Sequence, residues 1–269
     1  MRKFKFKFFI FAAIAIFVIA HQDWDDSSNQ TKQTQISSQS AARSALAQQG
    51  QNSKTTNRIA NWPMLKDDES GQTVANNLLA KNYYFVVDGS GSMHNIECSD
   101  HYTKMEAAKI ALTEFARNIP TDANVGVVAF DRKGTSERMA LQPKNESAFN
   151  TAVQQVTYGG GTPLLSSIDI ALQKITEQGR RQLGYGEYNI IIVTDGAASE
   201  GQDPTPLVNE IINESPVLIH TIGFCLNENH SLNQPGRTYY KAANNIESLR
   251  QGLGDILAES EQFTVTDFQ

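Results

Sequence analysis

Beyond residue 82 the chain switches between two hydrophobic patterns. Tyr83 to Val87 is an unbroken apolar run ending at Asp88, Val125–Phe130 and Ile190–Thr194 are runs of the same kind, and Val217–Ile222 is a further strand candidate that carries His220 and Thr221 among its apolar residues. Runs this short, without the alternation of a half-exposed sheet, predict strands buried on both faces. Glu137–Leu141 predicts a short edge strand and Arg237–Tyr240 a sixth strand. Between the strands the spacing becomes helical. Met105, Ala108, Leu112, Phe115 and Ile119 fall on one face behind Thr103-Lys104-Met105-Glu106, which has capping-box spacing, and Pro120 stops the pattern. Leu164, Ile168, Ala171, Leu172 and Ile175 predict a second helix, with Thr162 as its cap and Pro163 as its first residue. Leu207–Ile212 predicts a third, and Leu249, Leu253, Ile256 and Leu257 mark a C-terminal one. Buried strands alternating with amphipathic helices predict an α/β fold. The expected architecture is a doubly wound, mostly parallel six-stranded sheet flanked by helices, Rossmann-like, in strand order 3-2-1-4-5-6.

The N-terminal part has neither pattern. Met1–Lys7 is basic and Phe8–Ala20 is continuously apolar, shorter than the roughly 20 residues a membrane span needs. A basic start, a short apolar run and Val18-Ile19-Ala20 are the parts of a secretory signal cleaved after Ala20. An uncleaved membrane anchor is the alternative for residues 1–20, because Phe4 and Phe6 lengthen the apolar stretch. Residues 21–61 are rich in Gln, Ser, Thr, Asn and Ala, with only scattered large apolar side chains, and are expected to form a disordered tether; the alternative is a partly helical stalk around Ala41–Gln49. Residues 62–82 form a lead-in, 83–263 the folded domain and 264–269 a tail. Both N-terminal readings place the domain outside the cytoplasm, in the periplasm or at the cell envelope or surface, with membrane contact only through an uncleaved N-terminal segment. Composition adds one exclusion. The net charge is −6 and no Lys/Arg run follows the N-terminus, so a nucleic-acid partner is not expected.

Candidate chemistry collects at two strand ends. In the order 3-2-1-4-5-6 the sheet reverses between strands 1 and 4, where doubly wound folds bind ligands. Asp88 ends strand 1 and Asp195 follows strand 4, so two carboxylates meet there and call for a compensating cation. Asp88-Gly89-Ser90-Gly91-Ser92 sets a carboxylate and two hydroxyls at alternate positions of a turn, and Gly159-Gly160-Gly161-Thr162 offers a third hydroxyl. Such oxygens suit Mg2+, which takes about six oxygen ligands and keeps several waters.

At these residues the chain resembles von Willebrand factor type A domains. Asp88, Ser90, Ser92, Thr162 and Asp195 are similar to the five positions of that family's metal ion-dependent adhesion site, without a departure. The resemblance runs over roughly Tyr83–Phe263 and is especially similar to bacterial stand-alone members, through Thr221-Ile222-Gly223-Phe224. It implies that Ser90, Ser92 and Thr162 coordinate through hydroxyls, and Asp88 and Asp195 largely through water. It implies Mg2+, with Mn2+ or Ca2+ as substitutes, and a protein partner whose acidic side chain completes the metal's shell. Adhesion or envelope assembly by a non-enzymatic protein is therefore expected.

Other readings of the same residues are enzymatic or zinc-based. No nucleophile elbow or phosphate-binding Gly-Lys pattern occurs. A Mg2+-dependent phosphohydrolase using Asp88 is the alternative function, although the site loops offer it no evident Lys or Arg. His94, Cys98, His101 and Cys225 could form a zinc site. The exported reading instead favours a Cys98–Cys225 disulfide, because both cysteines follow strands at the same edge of the sheet. His220, within a buried strand, is expected to be a core histidine.

Overall fold

β1 (Lys81–Asp88) lies near the middle of the sheet, which is why its apolar run is continuous: from Asn82 onward every residue is buried. β2 (Asn124–Asp131) and β4 (Glu187–Thr194) pair with it in parallel on either side. β5 (Leu218–Phe224) and β6 (Tyr239–Ala243) extend the sheet beyond β4, and β3 (Gly134–Pro143) closes the other edge antiparallel to β2. The order is β3-β2-β1-β4-β5-β6, the expected one. The computed structural model describes Trp62, Pro63 and residues 73–261; the signal or anchor at 1–20, the tether at 21–61 and the tail at 264–269 lie outside the described residues.

Alternate β1 side chains feed two cores. Tyr83, Phe85 and Val87 join α1 (Lys104–Asn118), α2 (Glu146–Gln154) and α5 (Ile246–Glu261), with Phe85 edge-on to Phe115 and Phe149 at 5.7 and 5.0 Å between ring centres. Tyr84 and Val86 face α3 (Leu164–Arg181) and α4 (Thr205–Glu214) across the other side. Burying each large side chain contributes about 1.5–3 kcal/mol, so the two-sided sheet is the main source of stability. Trp62 joins the second core by lying edge-on to Tyr188 at 4.7 Å and over Gly179, where a Cβ would collide with its ring.

Several local expectations need correction. The helix after Thr162 starts at Leu164 with Pro163 as its cap, and Thr162 makes no side-chain capping bond. Pro163 has ψ 65°, outside the helix, so the proline ends the loop rather than opening the helix. β6 lies at Tyr239–Ala243 rather than 237–240, because Arg237 turns outward to Asn209 and Asn213 of α4. β3 is longer than expected. Leu172 is only partly buried, so it flanks the α3 core stripe of Leu164, Ile168, Ala171 and Ile175. α2 has no counterpart in the expected elements: Asn145 caps it through the Ala148 N–H, and only Phe149, Ala152 and Val153 face inward. The capping box at Thr103 and Glu106 is present as expected.

Candidate functional site

The parallel pairing of β1 and β4 brings the ends of both strands to one side of the sheet. Asp88 is wholly buried there. Its Oδ1 accepts the Ser90 N–H at 2.7 Å and its Oδ2 accepts the Thr194 hydroxyl at 2.6 Å. Burial pushes the Asp88 carboxyl up to about 6, against the pull of the Ser90 and Thr194 hydrogen bonds and with a further push from Asp195. The first of those bonds curls the chain into a turn, followed by a 3-10 turn at Gly91–His94. The turn sets Ser90 Oγ 2.9 Å from Ser92 Oγ, and Ser92 Oγ donates to Asp195 Oδ1 at 2.7 Å. Four oxygen-bearing residues thus run in one connected line from Asp88 to Asp195.

The glycine loop closes the third side. Gly89 is pressed so tightly against Thr157 and Phe130 that a Cβ would lie 2.5 Å and 2.7 Å from their carbonyl oxygens. Its carbonyl accepts the Gly159 N–H, and Gly160 returns a carbonyl to the Gly91 N–H. Gly159 and Gly160 adopt φ of +135° and +87°, a turn that only glycine takes without strain. Thr162 is then held by its neighbours: its N–H donates to Ser199 Oγ, and its carbonyl accepts the Ser199 N–H. The Thr162 and Ser92 hydroxyls each lie 3.8 Å from the point where a Cβ on Gly196 would stand. Hydrogen bonds thus join four of the five expected residues, and the Thr162 hydroxyl borders the same Gly196 position as Ser92.

Three residues that sequence reasoning passed over complete the arrangement. Lys104, the first residue of α1, donates from Nζ to Asp195 Oδ2 at 3.0 Å, so the site does contain a cationic side chain. Asp131 ends β2 as Asp88 ends β1. Its buried carboxylate accepts the Thr157 N–H and hydroxyl, the Lys133 N–H and an Arg138 N–H. Burial pushes the Asp131 carboxyl up, but the Thr157 and Lys133 hydrogen bonds and Arg138 outweigh it and hold it below the usual range. Asp131 thereby anchors the start of the glycine loop, and its position after an apolar strand was a usable signal. His230 reaches from the loop after β5, its Nε2 3.0 Å from the Gly196 carbonyl, while its Nδ1 accepts the Leu232 N–H. This pairing makes Nε2 the protonated nitrogen, and nothing in the sequence pointed to it.

The donor chemistry fits a hard divalent cation. Every side-chain donor gathered is a hydroxyl or carboxylate oxygen, with no nitrogen or sulfur ligand in the cluster. Among the described residues no group of three or more His, Cys, Asp or Glu side chains could hold a metal, so hydroxyls must supply part of any shell. The zinc reading is overturned directly. Cys98 and Cys225 form a disulfide with Cα atoms 5.7 Å apart, and His94 stacks on Tyr158 at 4.3 Å. The disulfide ties the loop before α1 to the end of β5, beside the site.

Comparison with known proteins agrees with this fold. The family model for the von Willebrand factor type A domain matches residues 82–268. No curated protein matches the sequence. Among solved structures, the chain is similar to conserved hypothetical protein BatB from Bacteroides thetaiotaomicron, at 14% identity and TM-score 0.55, over 68% of this chain and 100% of that one. It is similar to the pilus adhesin SpaC from Lactobacillus rhamnosus GG at 14% identity and TM-score 0.52, over 70% of this chain but 31% of that one. Proximal thread matrix protein 1 from the mussel byssus, described with a zinc-occupied MIDAS motif, shares 18% identity at TM-score 0.52, over 66% of this chain and 47% of that one. At these identities the likeness is one of fold.

Proposed function

The chain belongs to the von Willebrand factor type A domain family, and from that premise we propose that it is an exported protein that binds a partner protein through a divalent-cation adhesion site. The observation that carries the reading is the hydrogen-bonded line Ser90–Ser92–Asp195, with the Thr162 hydroxyl facing it. Ser90, Ser92 and Thr162 would hold the ion through hydroxyls, with Asp88 and Asp195 behind them through water. A cation held by so many neutral oxygens stays under-neutralised and attracts an anionic oxygen, which a partner Asp or Glu offers. Mg2+ is the proposed ion. The zinc-occupied motif named for the mussel protein supports a divalent ion at such a site.

Export is supported by the disulfide, since paired cysteines persist in oxidising compartments. The basic and apolar N-terminal segment points the same way. Among the described residues no helix is long and apolar enough to cross a membrane. The likeness to a pilus adhesin supports adhesion, and envelope assembly is the other form of the same binding activity. A phosphohydrolase reading is weaker. Both Asp88 oxygens already accept hydrogen bonds and the side chain is wholly buried, a poor state for a nucleophile.

The test is calorimetric titration with Mg2+, paired with crosslinking pull-down from intact cells with and without chelator. Binding of one ion per domain and chelator-sensitive recovery of one partner are expected. A domain that binds no divalent ion, or a partner captured equally well in chelator, refutes the reading.

A further inference from the structure

Lys104 sits where helix formation gives it no reason to be. It is the first residue of α1, at the end of the helix dipole that repels a positive charge. Its side chain is only 6% exposed, so its ammonium has also lost most of its hydration. Both costs are met by a single close partner: Asp195 Oδ2 at 3.0 Å, on a side chain that is 0% exposed. Glu97, at 3.7 Å, is 70% exposed and screened by solvent.

The two oxygens of Asp195 are divided between two tasks. Oδ1 faces the hydroxyl cluster through Ser92, and Oδ2 faces Lys104. Among the described residues Asp88 has no such cation and accepts instead from the Ser90 N–H and the Thr194 hydroxyl. The placement of Lys104 is also built firmly. Its N–H donates to the Asn95 carbonyl and the capping box fixes the following turn. The Ser99 hydroxyl clasps the Ile96 and Tyr102 carbonyls, and the Cys98–Cys225 disulfide pins the same loop.

We propose that Lys104 is a resident counter-cation, a positioning residue that balances Asp195 when no metal is bound and raises the positive charge of the site when one is. This rests on the adhesion-site reading for its second half only. With Lys104 present, two buried carboxylates carry one uncompensated negative charge, so the domain keeps its fold without metal. A divalent ion then makes the site net positive, which favours an acidic partner side chain and weakens the hold on the ion itself. Without Lys104 the same ion would leave the site neutral.

Lys104→Met keeps the length of the side chain and removes the charge. Thermal unfolding of the full chain, wild type and variant, in chelator and in saturating Mg2+, separates the roles. The variant should lose stability in chelator and regain most of it in Mg2+. Its affinity for Mg2+ or Mn2+ should tighten about tenfold, adding about 3–5 °C to the metal-induced rise in Tm. An equal loss of Tm in both conditions, with metal affinity unchanged or weaker, would mean ordinary packing and overturn the proposal. If wild-type protein binds no divalent ion, the adhesion-site reading fails, and the counter-charge role is then decided by the pair K104M and K104M/D195N. Recovery of Tm in the double variant supports it, and no recovery overturns it. Lys104→Arg, which keeps the charge, should behave as wild type in its response to metal.

Discussion

Ser92 and Asp195 are 103 residues apart in sequence, and the Ser92 hydroxyl donates to Asp195 Oδ1 at 2.7 Å. That bond joins the β1 turn to the β4 turn, yet the two partners are not equivalent in what they support. Ser92 is half-buried and its hydroxyl serves only the cluster. Ser92→Ala is expected to weaken Mg2+ binding at least tenfold while leaving Tm nearly unchanged. Asp195→Ala should also lose metal, but it strands the buried Lys104 ammonium, and breaking a buried pair costs about 3–5 kcal/mol. Calorimetry and thermal melts on both variants check this; equal stability of the two would contradict the burial of the Lys104–Asp195 pair.

The disulfide makes a prediction about conditions. Cys98 and Cys225 close a loop with a sequence separation of 127, for which chain-entropy reasoning gives about 4–5 kcal/mol. Protein purified from an oxidising compartment should show no titratable thiol at these positions. The paired substitution Cys98→Ser with Cys225→Ser should lower the urea midpoint and loosen the loop before α1, seen as faster amide exchange around Ser99. Two free thiols in native protein would refute the pairing.

α3 offers a contrast that depends on burial alone. Ile168 is wholly buried against the sheet, and Ile168→Ala is expected to cost about 2–5 kcal/mol. Leu172 lies at the margin of the same core, so Leu172→Ala should cost clearly less. Equilibrium urea unfolding of both variants ranks them, and a larger loss for Leu172 would mean that the α3 stripe has been misplaced.

The sheet and its five oxygen residues were legible because each leaves a local mark. A buried parallel strand is a short apolar run, and Asp88 and Asp195 stand at the ends of two of them. Glycines at 89 and 159–161 mark backbone that must approach closely or turn with positive φ. What escaped has no local mark. Lys104 reads as an exposed helix residue until the fold carries it to a carboxylate 91 positions away. His230 lies in an irregular loop and gains its role only by touching Gly196. α2 was hidden because three small or isolated apolar residues suffice where a helix covers the edge of a sheet. Thr162-Pro163 misled for the opposite reason. A strong local capping signal yielded to the hydrogen bonds between Thr162 and Ser199, which hold the threonine backbone in the loop.

His220 provides the pH test. It lies on β5 with 3% exposure, between the Asn189 amide of β4 at 3.2 Å and the Tyr239 ring of β6 stacked at 4.8 Å. The Lys241–Asp255 ion pair lines the same small cavity. Burial pushes the imidazole down to about 4 from its ordinary 6.5. A base whose folded value is depressed binds more protons when unfolded, so its contribution is complete above pH 6.5 and is lost as pH falls through 4. A shift of this size corresponds to roughly 3 kcal/mol across that window. Asp88 titrates in the same range with the opposite sign, since its folded value is raised to about 6 and acid relieves it. The slope of the wild-type protein alone therefore does not isolate either group. The comparison that does is wild type against His220→Gln, unfolded in urea in chelator at steps from pH 7 to pH 4. The variant removes one titrating group and leaves Asp88 unchanged, so stability of the wild type should fall relative to the variant as pH drops below 6.5. Parallel curves across the whole window would show that His220 takes up its proton as readily in the folded sheet as in the unfolded chain.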